Sequence, residues 1–287
     1  MGSARTDLAA ESRPLWGRKK GSPLPPGIRS ERGELEGFAL HRVDVLDEQG
    51  ARAMGRPVGQ YVTLELEGVL RREEDAFRRG VQAVAQLLAP LLPEGPVLVV
   101  GLGNRAVTPD RIGPLTVQNL LVTRHLVGNE VPQFGHLRPV AAITPGVLGE
   151  TGVESSLLAQ AVVSALRPAA LIAVDALAAR SVERLCRTVQ LTDTGIIPGS
   201  GVGNHRRGLT RDTLGIPVIG LGVPTVVDGE TLARDLVGGE APLGRELFVT
   251  PREVDSRVVD FGKVLGRAVT LALNPTLSLE DLELLLA

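Results

Sequence analysis

The chain has 287 residues, with 31 basic against 33 acidic side chains, 43% hydrophobic residues and only 2% aromatic ones. That balance excludes a disordered or fibrous protein and leaves no global charge for nucleic acid or an anionic membrane to recognise. Aromatic platforms for stacking single-stranded bases are too few, and the single cysteine, Cys186, excludes an internal disulfide or a multi-cysteine zinc site.

Residues 1–36 read as a flexible N-terminal tail. The stretch 16–27 mixes charge with proline and glycine and has no apolar period, so it buries too little to offset its ordering entropy. The start carries no apolar stretch behind its charge, and no apolar run reaches the length of about 18 residues that a membrane span needs. A cytoplasmic protein is expected.

From residue 38 the pattern changes. Segments 38–45 and 61–66 alternate like half-buried strands, and 73–92 has helical spacing that stops at Pro93. Segment 96–103 is short and wholly apolar, as expected of a strand covered on both faces. A helix is predicted over 112–127, strands at 140–143 and 170–174, and a helix between those strands at 155–166. Further strands are predicted at 188–191 and 218–222, and a closing helix at 253–273. Apolar strands alternating with helices call for an α/β fold, a mainly parallel sheet with helices on both faces, and residues 38–287 read as one domain.

In such a sheet ligands sit outside the carboxyl ends of the strands, so the polar residues that follow apolar runs are the candidates. Asp110 follows Val97–Val100 by a few residues, and Asp175 directly follows Val174. If the two strands are neighbours, the carboxylates share a crevice, where one can activate water and the other can protonate a leaving amine. The competing role for both is capping, of the helix near Ile112 and of the turn before Ser181. Gly101-Leu-Gly-Asn104 lacks the full dinucleotide fingerprint, because Ala106 holds its third glycine position. The loop Gly199-Ser-Gly-Val-Gly-Asn204, followed by Arg206 and Arg207, is the better anion or substrate contact through Gly199, Ser200, Gly201, Gly203 and Asn204. Asp193-Thr-Gly195 spells the triplet of all-β aspartic proteases but reads here as a strand end and turn, from which Asp193 could reach the crevice. The four histidines are scattered without metal-ligand spacing, so no metal and no cofactor is expected.

At these same segments the sequence resembles the germination protease family of spore-forming bacteria. The matching blocks are Arg5-Thr-Asp-Leu-Ala-Ala-Glu11, Gly101-Leu-Gly-Asn104 with Val107-Thr-Pro-Asp110, Asn119-Leu-Leu-Val-Thr-Arg-His125 and Pro145-Gly-Val-Leu-Gly149. They continue through Asp175-Ala-Leu-Ala-Ala-Arg-Ser181, Asp193-Thr-Gly195, Pro198-Gly-Ser-Gly-Val-Gly-Asn204, Gly222-Val-Pro-Thr-Val-Val-Asp228 and Thr250-Pro-Arg-Glu-Val-Asp255. The resemblance implies an aspartic-type endopeptidase, made as a zymogen, that degrades small acid-soluble spore proteins in the spore core during germination. It also implies a homotetramer and a fold related to the hydrogenase-maturing peptidases.

By motif, the catalytic pair it implies falls on Asp110 and Asp175. Asn104, Arg180 and Asp193, polar residues in the same segments, are the candidate accessory residues. Thr6-Asp-Leu-Ala-Ala-Glu11 resembles the cleavage motif of the family's substrates, which implies self-processing between Asp7 and Leu8. Two departures stand out: only about 20 residues join Asp228 to the closing helix where the family has a long insertion, and Ile197 holds a loop position that is usually histidine. Two other readings of the same residues are a metal-dependent maturation peptidase, with Asp110 and Asp175 as ligands, and a non-enzymatic anion- or nucleotide-binding module built on the glycine loops.

Overall fold

The computed structural model describes residues 24–127, 134–198, 207–238, 243 and 246–286. Its centre is one mixed sheet of nine strands, in the order β1-β2-β3-β7-β8-β6-β4-β5, with β9 attached to β8. The strands are β1 (Ile28–Leu35), β2 (Phe38–Val45), β3 (Gly59–Glu65), β4 (Val97–Gly101), β5 (Val140–Ile143), β6 (Ala170–Ala179), β7 (Thr188–Thr192), β8 (Val218–Asp228) and β9 (Phe248–Val249). β5, β4, β6 and β8 are mutually parallel and form the buried middle. β7, β3, β2 and β1 extend it as an antiparallel meander.

The longer helices are α1 (Glu48–Met54), α2 (Ala76–Leu88), α3 (Ile112–Gln118), α4 (Ser155–Leu166), α5 (Gly229–Val237), α6 (Val254–Leu273) and α7 (Leu279–Leu286). One face of the sheet presents Val97, Val99, Ile172, Val174, Ile219 and Leu221 to α2, α3 and α6, and this is the main core. The other face presents Leu98, Val100, Leu171, Ala173 and Val218 to Ala159 and Val163 of α4. Alternate residues of a strand point to opposite faces, so a strand covered on both sides must be apolar throughout. β4, with all five residues buried, meets that requirement.

The fold begins earlier than the expected boundary at residue 38. Ile28–Leu35, placed in the tail by its charge, is paired along its whole length with β2. Its turn, Glu36-Gly37, has positive φ at both residues, 52° and 78°. Two such residues match the twist of a tight hairpin, and backbone bonding there substitutes for the apolar pattern that an exposed edge strand does not need. The helix expected over 112–127 stops at Gln118, where Asn119 caps it and folds its side-chain amide onto the Leu115 carbonyl at 2.8 Å. A short helix, Arg124–Val127, follows. β6 and β8 run five and six residues beyond their expected ends, and α7 was not expected. Cys186 is fully buried, and burial pushes its thiol up to about 12.

Candidate active site

Asp110 and Asp175 hang from one junction in the sheet. β4 and β6 are parallel neighbours, with Gly101 beside Val174. Beyond that pair the Leu102 N–H donates to the Val174 carbonyl at 2.8 Å, after which β4 ends and β6 continues. Asp175 is therefore the first β6 residue with no β4 residue paired beside it. It is 6% exposed, and its Oδ1 accepts the Ala176 N–H at 2.9 Å.

The chain leaving β4 folds back so that Asp110 lies against its start. Asp110 Oδ2 accepts the Asn104 N–H at 2.8 Å, and the single helical turn Thr108–Asp110 packs against β6, β8 and α6. Asn104 is two residues from Leu102, a reach of at most about 7 Å, so both carboxylates are tied to the same strand end. Two glycines permit this closure. A Cβ on Gly103, whose φ is +114°, would lie 2.0 Å from the Asp110 carbonyl oxygen. A Cβ on Gly113 would lie 2.2 Å from the Leu102 carbonyl and 2.6 Å from that of Val174, so only glycine lets the start of α3 settle on the junction.

Neither aspartate holds the capping position that was the alternative reading. Arg111 occupies the N-cap of α3, without a side-chain cap bond. Asp175 lies within β6, four residues before its end at Ala179. The other candidates separate. Asn104 is at the junction, and its Oδ1 also accepts the Ala106 N–H at 2.7 Å. Arg180 follows the end of β6, about 16 Å along the strand from Asp175. Asp193 is exposed and uses Oδ1 to accept the Gln60 N–H at 2.8 Å, joining the start of β3 to the end of β7. The loop residues Gly199, Ser200, Gly201, Gly203 and Asn204, and the tail residues Asp7 and Leu8, lie outside the described residues. Among the described residues, no three histidine, cysteine or acidic side chains are grouped so as to hold a metal ion.

The sequence reading missed what flanks Asp175 on its other side. Asp175, Gly222, Gln190, Thr63 and His41 form one row across β6, β8, β7, β3 and β2, and residues in register on neighbouring strands project from the same face. The alternation on β7, polar Thr188, Gln190 and Thr192 against apolar Val189 and Leu191, was the available signal.

The family model for germination proteases matches residues 11–239. A germination protease of Caldanaerobacter subterraneus is 41% identical, over 98% of this chain and 98% of its own length. The chain belongs to the germination protease family. Relatives in that family from Clostridium perfringens and Bacillus subtilis are 38% and 37% identical, over 98% and 96% of this chain and 98% and 95% of their own lengths. Among solved structures, a NiFe hydrogenase maturation protease from Thermococcus kodakarensis superimposes with a TM-score of 0.38 and 15% identity, over 64% of this chain and 98% of that one. Membership of the germination protease family makes this protein a peptidase, and no helix among its described residues is long and apolar enough to cross a membrane.

Proposed function

We propose that this peptidase is an aspartic-type endopeptidase that opens the degradation of small acid-soluble spore proteins in the spore core, with Asp110 and Asp175 as its catalytic pair. The observation that carries the reading is the Leu102–Val174 junction, from which both carboxylates depend. One carboxylate takes a proton from the attacking water while the other gives a proton to the departing amine, and the peptide bond is replaced by a free acid and an amine. The backbone N–H groups of Asn104 and Ala176 hold each carboxylate in one orientation, which keeps both groups placed before substrate arrives. The loop Gly199–Asn204 supplies backbone donors for the oxyanion, as its glycine content allows.

The enzyme starts as a zymogen. Thr6-Asp-Leu-Ala-Ala-Glu11 in its own tail stands in for a substrate, and cleavage between Asp7 and Leu8 removes a short pro-segment. The working form is a homotetramer. Support for self-association comes from Leu236, Val237 and Phe248, exposed side chains on α5 and the adjoining β9.

The test is to incubate the purified full chain with a small acid-soluble spore protein and map the products by mass. A single early internal cut, together with an N-terminus at Leu8 in the active enzyme, is the expected result. An intact spore protein would refute the substrate assignment, and an active enzyme that keeps residues 1–7 would refute self-processing.

A further inference from the structure

The start of α4 stands over the aspartate junction, on the face of the sheet from which Asp175 projects. On β6, Leu171 and Ala173 meet α4, and Asp175 is the next residue of that alternation. α4 ends at Leu166, and residues 167–169 return the chain to β6 at Ala170. From that return Asp175 is five residues up the strand, about 16 Å, and Ser156 is ten residues back along the helix, about 15 Å. The two are therefore level. Ser156 is also seven residues from Val163, which turns it only about 20° from the stripe that packs on the sheet. Its hydroxyl thus faces the crevice.

The donors at this helix start have no acceptor within the described residues. Ser156 is 6% exposed, and its hydroxyl makes no hydrogen bond there. The backbone N–H groups of Ser155 and Ser156 make none either. The first bonds of the helix come from Leu157 and Leu158, to the Glu154 carbonyl at 3.0 and 3.2 Å, and the Glu154 side chain caps nothing. Ser155 spends its hydroxyl on the Gly146 carbonyl at 2.9 Å, which fixes the helix start to the loop after β5. A buried hydroxyl beside uncapped amides at the positive end of a helix is a donor set for an anionic oxygen.

The aspartate pair decides which anion. Before attack the pair holds one proton and one negative charge. Its charged member takes a proton from water as the water oxygen bonds to the scissile carbonyl carbon, and the π electron pair moves onto the carbonyl oxygen. Both carboxyls are then protonated, and the single charge has passed to that oxygen. A carboxylate or phosphate held there permanently would face the charged pair; the oxyanion does not.

We infer that the Ser156 hydroxyl, with the amides of Ser155 and Ser156, binds the oxyanion of the tetrahedral intermediate. The inference rests on the peptidase reading of Asp110 and Asp175 and adds donors that meet the oxygen from the helix side. On collapse the carbonyl re-forms and the C–N bond breaks. One carboxyl gives its proton to the departing nitrogen, and the pair regains its original charge.

The test measures kcat and KM separately for the full-length enzyme acting on a small acid-soluble spore protein. Ser156→Ala is expected to lower kcat about 100-fold, the cost of one oxyanion donor. KM is expected to stay within about twofold of wild type, because the bond forms only as the charge develops. Ser156→Thr keeps a hydroxyl and is expected to recover at least about tenfold of that loss. Thermal melting confirms that each variant is folded, and Ser156→Cys, a weak donor of similar size, replaces Ser156→Ala if the latter is not. A folded Ser156→Ala with kcat within about threefold of wild type would overturn the oxyanion site and leave the peptidase reading standing. So would a loss carried by KM alone, or equal losses in the alanine and threonine variants. No cleavage of the spore protein by the wild type would overturn the peptidase reading itself.

Discussion

The Leu102 N–H donates to the Val174 carbonyl, and that bond is the last rung between β4 and β6 before the two strands part. Asp175 is the next residue of β6, and Asp110 returns to within two residues of Leu102 through Asn104. Asp110 and Asp175, 65 positions apart in the chain, are thus tied to one strand end by the ordinary geometry of a parallel pair. One strand stops there, its neighbour continues, and the gap is filled by a loop.

Gly103 carries the closure of that loop. Gly103→Ala puts a methyl group 2.0 Å from the Asp110 carbonyl at a φ of +114°, a backbone conformation that costs a residue with a Cβ about 1–3 kcal/mol. Asp110 must shift, and a displacement of about 1 Å in a catalytic group can cost about 100-fold in rate. The expected outcome is a fall of that order in kcat with a modest loss in melting temperature. Wild-type kcat in the variant would show that the position of Asp110 is not held by Gly103.

Arg267 joins α6 to α7. It is 9% exposed and bonds Glu283 through Nε at 2.8 Å and Nη2 at 3.1 Å, while Nη1 donates to Asn119 Oδ1 at 2.6 Å. The hydrogen bond from Arg267 holds the Glu283 carboxyl below its usual range. A carboxyl depressed in the folded state stabilises above its unfolded value, near 4.3, and that contribution is lost as pH falls through the folded value. Glu283 is about half exposed, so solvent limits the pair to about 1 kcal/mol or less. Urea unfolding of Glu283→Gln is therefore expected to show a deficit of that size at pH 7, which shrinks toward zero as pH falls below 4. A deficit that persists unchanged in acid would contradict the assignment.

Cys186 is expected to be chemically silent in the folded protein. Its side chain is fully buried, and burial pushes the thiol up to about 12, which leaves almost no thiolate to react at neutral pH. An alkylating reagent at pH 8 should label it only after denaturant is added. Rapid labelling of the native protein would place Cys186 in a more open environment than this fold provides.

The parallel centre of the fold was legible because burial on both faces demands unbroken apolar runs, and 97–101 and 170–174 have them. The same logic pointed to Asp110 and Asp175, the first acidic residues beyond those runs. What escaped notice depends on pairing, which a single segment does not display. β1 is charged because one of its sides is open, and only the Glu36-Gly37 turn announces it. The extension of β6 from Val174 to Ala179 was hidden because Asp175 looks like a terminator, although it is a buried strand residue with Gly222 at its side. The polar row from Asp175 through Gly222 to Gln190 depends on three strands meeting in register, and the polar residues of β7 become meaningful only once β7 is placed against β8.

The central claim is that Asp110 and Asp175 act together on one peptide bond. The direct measurement is kcat/KM for cleavage of a small acid-soluble spore protein by Asp110→Asn, Asp175→Asn and the double variant, each checked for wild-type circular dichroism and melting. Loss of an acid–base group costs about 10²–10⁴-fold, and two groups that serve one step are far from additive. Each single variant is expected to lose at least about 100-fold, with the double variant little worse than the poorer single one. A folded single variant that keeps activity within about tenfold of wild type would remove that aspartate from the reaction and contradict the account.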